Sequence, residues 1–560
     1  MKRPLRSSLL SAAVLAVALD ADAQDRTQAR SMVITQHGIV ASEQTLASQA
    51  GAAILARGGN AVDAAIAANA VLGLTSPMMC GVGGDLFVTY YEAKSGKLHG
   101  LNASGWSPAA LSIEHLRGLG FTTMPQTNIH AVTVPGCVDG WEKLSKRFGK
   151  KPLADALAPA IRYAEEGFPV SELVSRSWIS SEKKLKHDAN AANTYLRDGK
   201  APRLGAIFRN PDLAKTYRAI ASRGRTGLYE GDVAKRMVAY SQRLGGTMSL
   251  DDLKKFSAEW VEPISTTYRG WTVYEIPPNG SGIAALAMLN LMETFPLAET
   301  GHNTARTLHA LIEAKKLAYA DMLRYVADPR FARAPVAGML AKDYARERAK
   351  LVDAAKAADV VPPGQPPNPG TDTTYLCVVD KDGNMVSYIQ SNYVGFGTGL
   401  VPDGCGFALQ NRGGLFSLDP AHPNALAGRK RPLHTIIPGF MAKGDERIAF
   451  GIMGGWNQSQ AHAQFVSNVV DYQMNIQAAL EAPRFTKLTF PGVDLEMERR
   501  VSEAVRGELT ALGHKITVRG DFTQSVGGGQ AVLRNFKTKV NYGGSDPRKD
   551  GAAIPEANVR

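Results

Sequence analysis

The stretch that organises this sequence reads Thr373-Thr374-Tyr375-Leu376-Cys377-Val378-Val379-Asp380, residues 373–380. Its β-branched and aromatic residues predict a strand. Before it, residues 361–372 read VPPGQPPNPGTD, and this Pro/Gly loop fits neither a helix nor a central strand. After it, 381–384 (KDGN) lead into a second β-rich run at 385–390, and Asp-Gly between two such runs predicts a hairpin. A threonine therefore stands at the start of a strand, directly behind a loop that is open to cleavage.

Cleavage before Thr373 would give this residue a free α-amine. Such an amine has a reference pKa of about 7.7–8.0, so at neutral pH it can act as the base for the hydroxyl of the same threonine. This is the N-terminal-nucleophile arrangement for amide chemistry. We predict that Thr373 is the nucleophile and that the Asp372–Thr373 bond is the cleavage site.

The composition excludes several other classes of function. Hydrophobic residues make up 44% of the chain and charged residues 21%, as in ordinary globular proteins. The net charge of +12 comes without a Lys/Arg block of the kind that binds nucleic acid, so no nucleic-acid partner is expected. The sequence has no GxxxxGK(S/T), HExxH or paired CxxC motif, and we expect neither a cofactor nor a metal ion.

The first 23 residues read as a secretory signal peptide. Lys2, Arg3 and Arg6 precede an apolar run at 9–19, and 21–23 (ADA) offer a cleavage site. The apolar run is too short for a membrane span, and no later segment has 18 consecutive apolar residues. We predict a periplasmic or secreted protein without a membrane span.

The four cysteines, Cys80, Cys137, Cys377 and Cys405, are widely spaced. They would allow three disulfide connectivities, among which sequence cannot choose. We favour buried free thiols, because Cys377 lies on the proposed strand among apolar residues.

Predicted helices and hairpins follow one another without a regular βαβ alternation, which favours α+β layers over a doubly wound sheet. A helix over 43–57 is predicted with Ser42 as its N-cap. Short strands are predicted at 131–134, 406–410 and 435–441, among others. The part after Thr373 is β-rich, and we expect it to share one core with the first part.

Seven short motifs occur in order along the chain: 58–65 (GGNAVDAA), 134–136 (VPG), 229–231 (YEG), 373–374 (TT), 380–384 (DKDGN), 430–432 (KRP) and 454–455 (GG). Together they closely resemble the γ-glutamyltranspeptidase family, from about residue 39 to residue 548. The resemblance implies a four-layer αββα sandwich of the N-terminal nucleophile hydrolase type. It also implies one precursor that cleaves itself into a large subunit, 24–372, and a small catalytic subunit, 373–560, which stay together as a heterodimer. The implied substrate is a small-molecule amide or peptide of the γ-glutamyl (glutathione) type.

The resemblance also assigns roles to single residues. Thr373 matches the nucleophile, Thr374 the threonine that supports it, and Ser391 a second hydroxyl that assists the α-amine. Gly454 and Gly455 match the two glycines whose backbone N–H groups form the oxyanion hole, which suits residues without side chains.

Other positions depart from the family pattern. The donor-pocket positions that are an arginine, an aspartate, an asparagine, a glutamine and paired serines in glutathione-acting members are here Ser104, Leu415, Tyr393, Arg412 and His434-Thr435. Leu415 removes a counter-ion for a substrate ammonium, whereas Arg412 adds one for a carboxylate. The hypothesis that follows is a pocket for an acyl chain ending in carboxylate, as in glutaryl-cephalosporin acylases. Alternatively, Arg412 is a surface or structural ion-pair residue and His434 a packing residue.

Two other classes of protein are disfavoured by the sequence. A serine hydrolase is disfavoured because no G-x-S-x-G motif occurs. An inactive scaffold, processed or unprocessed, is disfavoured by Thr373, the Ser391 hydroxyl and both glycines.

Overall fold

The structure is a computed structural model that describes residues 28–362 and 374–558. The proposed signal peptide, Asp372, Thr373 and most of the Pro/Gly loop lie outside the described residues.

The strands of the described residues are β1 (Val33–Thr35), β2 (Ile39–Ser42), β3 (Asp85–Glu92), β4 (Lys97–Ala103), β5 (Phe168–Pro169), β6 (Ile207–Phe208), β7 (Glu259–Val261), β8 (Ile264–Tyr268), β9 (Trp271–Glu275), β10 (Thr374–Val379), β11 (Met385–Ser391), β12 (Gly439–Lys443), β13 (Glu446–Ile452), β14 (Phe485–Thr486), β15 (Asp494–Glu498), β16 (Lys515–Arg519), β17 (Gly529–Asn535), β18 (Val540–Ser545) and β19 (Ala552–Pro555).

The α-helices of the same residues are α1 (Thr45–Ala56), α2 (Ala61–Thr75), α3 (Ile113–Gly118), α4 (Cys137–Phe148), α5 (Leu153–Glu166), α6 (Glu172–Ser180), α7 (Glu182–Leu185), α8 (Ala189–Tyr195), α9 (Pro211–Arg223), α10 (Thr226–Tyr229), α11 (Asp232–Arg243), α12 (Leu250–Lys255), α13 (Gly282–Met292), α14 (Leu297–Thr300), α15 (Ala305–Tyr325), α16 (Val336–Met339), α17 (Lys342–Ala349), α18 (Gln458–Val470), α19 (Ile476–Glu481) and α20 (Glu503–Ala511).

Two antiparallel sheets, each with seven strands among the described residues, form the centre of the fold. The first has the order β1-β18-β17-β13-β12-β9-β8, and the second has the order β19-β2-β10-β11-β3-β4-β7. The sheets stack face to face, since β10 packs on β13 and β17. Helices α1, α2 and α4 cover the second sheet, and α13, α18 and α19 cover the first. The predicted αββα sandwich is confirmed.

Both sheets combine strands from the two sides of the proposed cut. β10 and β11 come after residue 373, yet they lie between β2 and β3, which come before it. Val378 and Ile389 pack in one apolar cluster with Val88, and burying each such side chain contributes about 1.5–3 kcal/mol. The described parts of the two halves therefore share one core, as predicted.

The predicted hairpin of β10 and β11 is present, with Thr374 paired to Gln390 and Val379 to Met385. The first helix begins later than predicted. Its N-cap is Gln44, whose side chain accepts a hydrogen bond from the N–H of Ala47, whereas the Ser42 hydroxyl donates to the carbonyl of Gln44.

Three predicted strands were wrong in whole or in part because their backbone groups bond outside any ladder. Residues 129–131 form a 3-10 helix, and the N–H of Val134 donates to the carbonyl of Trp106. Residues 406–410 bond to loops, with Gln410 donating to Gly83. At 435–441 the strand starts only at Gly439, since the N–H of Ile437 donates to the side chain of Gln458.

All four cysteines are buried and free, in agreement with the prediction. None of the helices that the structure describes combines the length and the apolar character needed to cross a bilayer.

Candidate active site

The amino end of β10 marks the position of the candidate site. Thr374, the first residue of β10, is buried, and the strand lies between β2 and β11 near the middle of its sheet. The predicted nucleophile Thr373 and the preceding Asp372 lie outside the described residues. The proposed supporting role of Thr374 stays a prediction.

Ser391 ends β11, the strand next to β10. It is fully buried, its backbone pairs with that of Asp85 on β3, and its hydroxyl oxygen accepts a hydrogen bond from the N–H of Tyr393 at 2.8 Å. The order of the strands brings the carboxyl end of β11 beside the amino end of β10, because the two strands are antiparallel. Ser391 therefore lies at the same edge of the sheet as Thr374.

Gly454 and Gly455 form the turn between β13 and α18. Both have positive φ, at 128° and 57°, which side chains disfavour. The turn enters a 3-10 helix over Gly455–Asn457 and then α18, so it lies at the positive end of a helix dipole. A buried pair holds the strand before the turn: the N–H of Ile452 donates to Nε2 of His462 at 3.1 Å, and Nδ1 of His462 lies 2.8 Å from Oε1 of Glu275.

Asp85, the strand neighbour of Ser391, forms a buried charged cluster with Arg412 and His434. Oδ2 of Asp85 accepts from Nε of Arg412 at 3.1 Å and from Nε2 of His434 at 2.5 Å. Arg412 also donates through Nη1 to the Thr435 hydroxyl at 2.8 Å, and its guanidinium stacks 4.5 Å from the centre of the Tyr393 ring. Oδ1 of Asp85 and Nη2 of Arg412 are buried and have no hydrogen-bond partner among the described residues.

The charges within the cluster of Asp85, Arg412 and His434 compensate one another. Burial, reinforced by Arg412, lowers the pKa of His434 to about 4. Its Nδ1 accepts from the N–H of Ile436 at 3.3 Å, which fits a neutral ring with its proton on Nε2. Burial alone would raise the pKa of Asp85, but His434 and Arg412 outweigh that effect and lower it. At neutral pH the cluster thus holds one cation and one anion.

The structure brings Tyr393, Arg412, His434 and Thr435 together. Ser104 is joined to them through Asn279, which donates to the Ser104 hydroxyl at 3.2 Å and whose carbonyl accepts from the N–H of His434 at 2.8 Å. Leu415 follows Arg412 in a 3-10 helix, and its side chain packs into an apolar cluster with Leu433 and Trp456. The substrate contacts of all six residues stay predictions.

Sequence reasoning missed Asp85, His462 and Glu275. Asp85 lies 327 residues from Arg412 in the chain, so their pairing left no local pattern. The one available signal was a carboxylate opening an otherwise apolar strand, directly after Gly83-Gly84, because such a residue needs a partner when buried.

Among the described residues, His309, Glu313 and His514 are a group that could hold a metal ion. Nδ1 of His309 lies 2.8 Å from Nε2 of His514, and Glu313 accepts from Lys316 at 2.7 Å. His309 and Glu313 lie on α15, and His514 follows α20.

Comparisons with known proteins agree with this architecture. A family model described as Gamma-glutamyltranspeptidase matches residues 47–556. A Bacillus subtilis protein named glutathione hydrolase-like YwrD proenzyme is 38% identical over 529 residues, covering 93% of this chain and 99% of its own. The oxamate amidohydrolase proenzyme of Klebsiella pneumoniae is 34% identical over 535 residues, with 93% and 98% covered. A crystal structure of cephalosporin acylase from Bacillus halodurans superposes with a TM-score of 0.88 at 41% identity, covering 96% of this chain and 99% of that one.

Proposed function

Because the chain belongs to the gamma-glutamyltranspeptidase family, we propose that it is a self-processed gamma-glutamyltransferase-like amidohydrolase and acyltransferase that cleaves γ-glutamyl amides of the glutathione type. The observation that carries the proposal is the edge shared by β10 and β11. There, the buried Ser391 hydroxyl and a buried pair of opposite charges, Asp85 and Arg412, lie next to the strand that follows Thr373.

The first use of the nucleophile is maturation. The Thr373 hydroxyl attacks the carbonyl carbon of Asp372, the peptide bond breaks as an ester forms, and the threonine nitrogen takes up a proton. Water then hydrolyses the ester. The products are a large subunit, 24–372, with a new carboxylate at Asp372, and a small subunit, 373–560, with a free amine at Thr373.

The second use is catalysis. The Thr373 amine takes the proton of its own hydroxyl, which attacks the carbonyl carbon of the substrate amide. The backbone amides of Gly454 and Gly455 stabilise the oxyanion of the tetrahedral intermediate, and the leaving amine departs with the proton. Water or an acceptor amine then releases the acyl group. The Ser391 hydroxyl assists the amine, and Thr374 supports the nucleophile.

The charged cluster supports a glutamyl donor. A γ-glutamyl group ends in one ammonium and one carboxylate, and the cluster offers one unpaired carboxylate oxygen on Asp85 and one unpaired guanidinium nitrogen on Arg412. Leu415 cannot act as a counter-ion for the substrate ammonium, and Asp85 takes this role instead.

A second candidate is a glutaryl- or cephalosporin-type acylase with a carboxylate-binding acyl pocket. It is favoured by Leu415, which places an apolar side chain where glutathione-acting relatives have a carboxylate, and by the likeness to the acylase of Bacillus halodurans. In that case Arg412 binds the acyl carboxylate and Asp85 serves only to hold Arg412.

The kinetics of γ-glutamyl and glutaryl p-nitroanilides separate the two candidates. We expect the wild type to prefer the γ-glutamyl substrate, and Asp85→Asn to reduce that preference by about tenfold or more, because the amide cannot balance an ammonium. The ratio of the two rates is measured within one variant, so a lower folded fraction cancels. A preference for the glutaryl substrate that Asp85→Asn leaves unchanged selects the acylase.

Thr373→Ala tests the shared chemistry. This variant is expected to remain one uncut, inactive chain, whereas Thr373→Ser keeps some processing. N-terminal sequencing of the wild-type small fragment should begin at Thr373. An intact wild-type chain without amidase activity would instead favour the inactive scaffold.

Export belongs to the same proposal. Residues 1–23 direct the chain to the periplasm or the medium, and the two subunits work there as a heterodimer on a small-molecule amide or peptide. Cell fractionation, with the N-terminus of the large subunit read at residue 24, checks this part independently of activity.

A further inference from the structure

Asn457 carries a side-chain amide that is fully buried and unpaired. Neither Oδ1 nor Nδ2 has a hydrogen-bond partner among the described residues. Buried polar groups in native proteins are nearly always paired, because a buried donor without an acceptor costs free energy. The unpaired amide of Asn457 lies beside the candidate catalytic turn, which indicates that it forms its hydrogen bond during the reaction.

The amide lies against the glycine turn. The backbone N–H of Asn457 donates to the carbonyl of Gly454 at 3.0 Å, and a Cβ on Gly454 would lie 3.3 Å from Nδ2. A Cβ on Gly527 would lie 2.8 Å from the same Nδ2. Nδ2 therefore lies close to the backbones of both glycines.

Other polar side chains that begin α18 are satisfied by protein groups. Gln458 accepts from the N–H of Ile437, Ser459 donates to the carbonyl of Ser281, and Gln460 donates to that of Trp456. Besides Asn457, the indole N–H of Trp456 is the unpaired side-chain donor of this turn within the described part of the chain. The missing hydrogen bonds are therefore confined to the side chains of Trp456 and Asn457, and the helix that follows is well packed.

We propose that Asn457 is a further catalytic residue, whose side-chain N–H donates a hydrogen bond to the oxyanion of the tetrahedral intermediate beside the amides of Gly454 and Gly455. The inference rests on the proposed function. A donor that is fixed and unpaired in the resting enzyme needs no reorganisation when the negative charge develops, which is the condition under which such donors are most effective. No proton is transferred, since the amide only donates the hydrogen bond.

Asn457→Ala is the decisive variant. We expect kcat to fall by about 10²- to 10³-fold, the typical effect of removing one oxyanion donor, with little change in KM. The affinity for a boronate analogue of the acyl group, whose adduct with the threonine hydroxyl is tetrahedral, should fall strongly, whereas the affinity for the free acyl acid should not. Tm should stay the same or rise, because an unpaired buried amide has been removed. Asn457→Asp, which also places a negative charge beside the oxyanion, should be slower still.

Asn468→Ala is the matched control on the same helix. Asn468 is also buried, but its side chain is paired with the carbonyl of Ala479 and with His302. Its loss should lower Tm and leave kcat unchanged. Rates are expressed per cleaved small subunit. A folded Asn457→Ala chain that fails to cleave supports the same role in the maturation step.

Wild-type kcat in Asn457→Ala overturns the inference, and so does a loss of activity that accompanies a lower Tm while boronate affinity is retained. Either result leaves the proposed function standing as long as the wild type cleaves itself and hydrolyses the amide. If the wild type neither cleaves itself nor hydrolyses the amide, the proposed function itself is wrong.

Discussion

Asp85 is the residue that changes the interpretation of the site most. From sequence, Arg412 and His434 were either substrate contacts or, alternatively, an ion-pair residue and a packing residue. In the structure both bind the same Asp85 oxygen, so Arg412 is a buried ion-pair residue, whatever its further contact with substrate. The family resemblance indicated that Arg412 and His434 belong to one pocket. Their pairing with Asp85 could not be predicted, because it depends on two strands and a loop that only the fold brings together.

The neutral His434 predicts how stability depends on pH. Its pKa is about 4 in the folded protein and about 6.5 in an unfolded chain. Between these values the unfolded state binds a proton that the folded state does not, so the free energy of unfolding falls as pH drops from 6.5 to 4. The shift corresponds to about 3 kcal/mol over this range. Urea unfolding at pH 7, 6, 5 and 4 measures it.

His434→Gln should flatten this pH dependence, because glutamine does not titrate and still offers an N–H to Asp85. His187→Gln is the control, since His187 is exposed and should leave the slope unchanged. Equal slopes for the wild type and His434→Gln would contradict the assignment of His434 as the titrating group.

At the scale of single elements, the β10–β11 hairpin was the best prediction. Its signals are local: two β-branched runs and an Asp-Gly turn, with a strand register that follows from the turn. The region 406–410 has a similar apolar composition but is not a strand, since Leu409 accepts from Thr398 and donates to Leu400 within one loop. Composition indicates which residues are buried. It does not indicate whether a ladder or a loop satisfies their backbone.

His462 holds the end of β13, the strand that leads into the turn of Gly454 and Gly455, by accepting from the N–H of Ile452. With Asn at this position, the N–H of Ile452 loses its acceptor, which costs about 1–3 kcal/mol for a buried donor. We expect His462→Asn to lower Tm and, because the turn begins two residues later, to lower kcat as well. Thermal unfolding and p-nitroanilide kinetics measure both effects.

Glu275→Gln is the matched control for this prediction. The amide oxygen still accepts from Nδ1 of His462 and keeps the ring oriented, so kcat should change much less than in His462→Asn. A His462→Asn variant with wild-type kcat would show that the turn does not depend on this contact.

For the whole molecule, a single shared core was predictable because the part after Thr373 is short and β-rich. The order of the layers came from the family resemblance and not from periodicity. The order of strands in each sheet, with first-half and second-half strands side by side, has no sequence signature. It is set by packing between segments hundreds of residues apart.

This interleaving predicts that the two fragments of the mature protein stay together. Gel filtration in native buffer should give one peak of about the uncut mass, and denaturing gels should show two bands. The fragments should separate only in denaturant, because pulling them apart would remove β10 and β11 from the middle of their sheet. Two native peaks after cleavage would contradict the shared core.

The central place of β10 in its sheet also predicts that folding precedes cleavage. Chain ends normally lie at protein surfaces, whereas the proposed cut before Thr373 would create a new end directly ahead of β10, a strand with neighbours on both edges. If the sheet assembles first and the chain is cut afterwards, the new amine forms next to β10, and no free end has to be inserted into a finished core. Two pieces translated separately would have to insert β10 and β11 between β2 and β3 of a folded partner, so we expect the two parts expressed from separate genes to give little active protein.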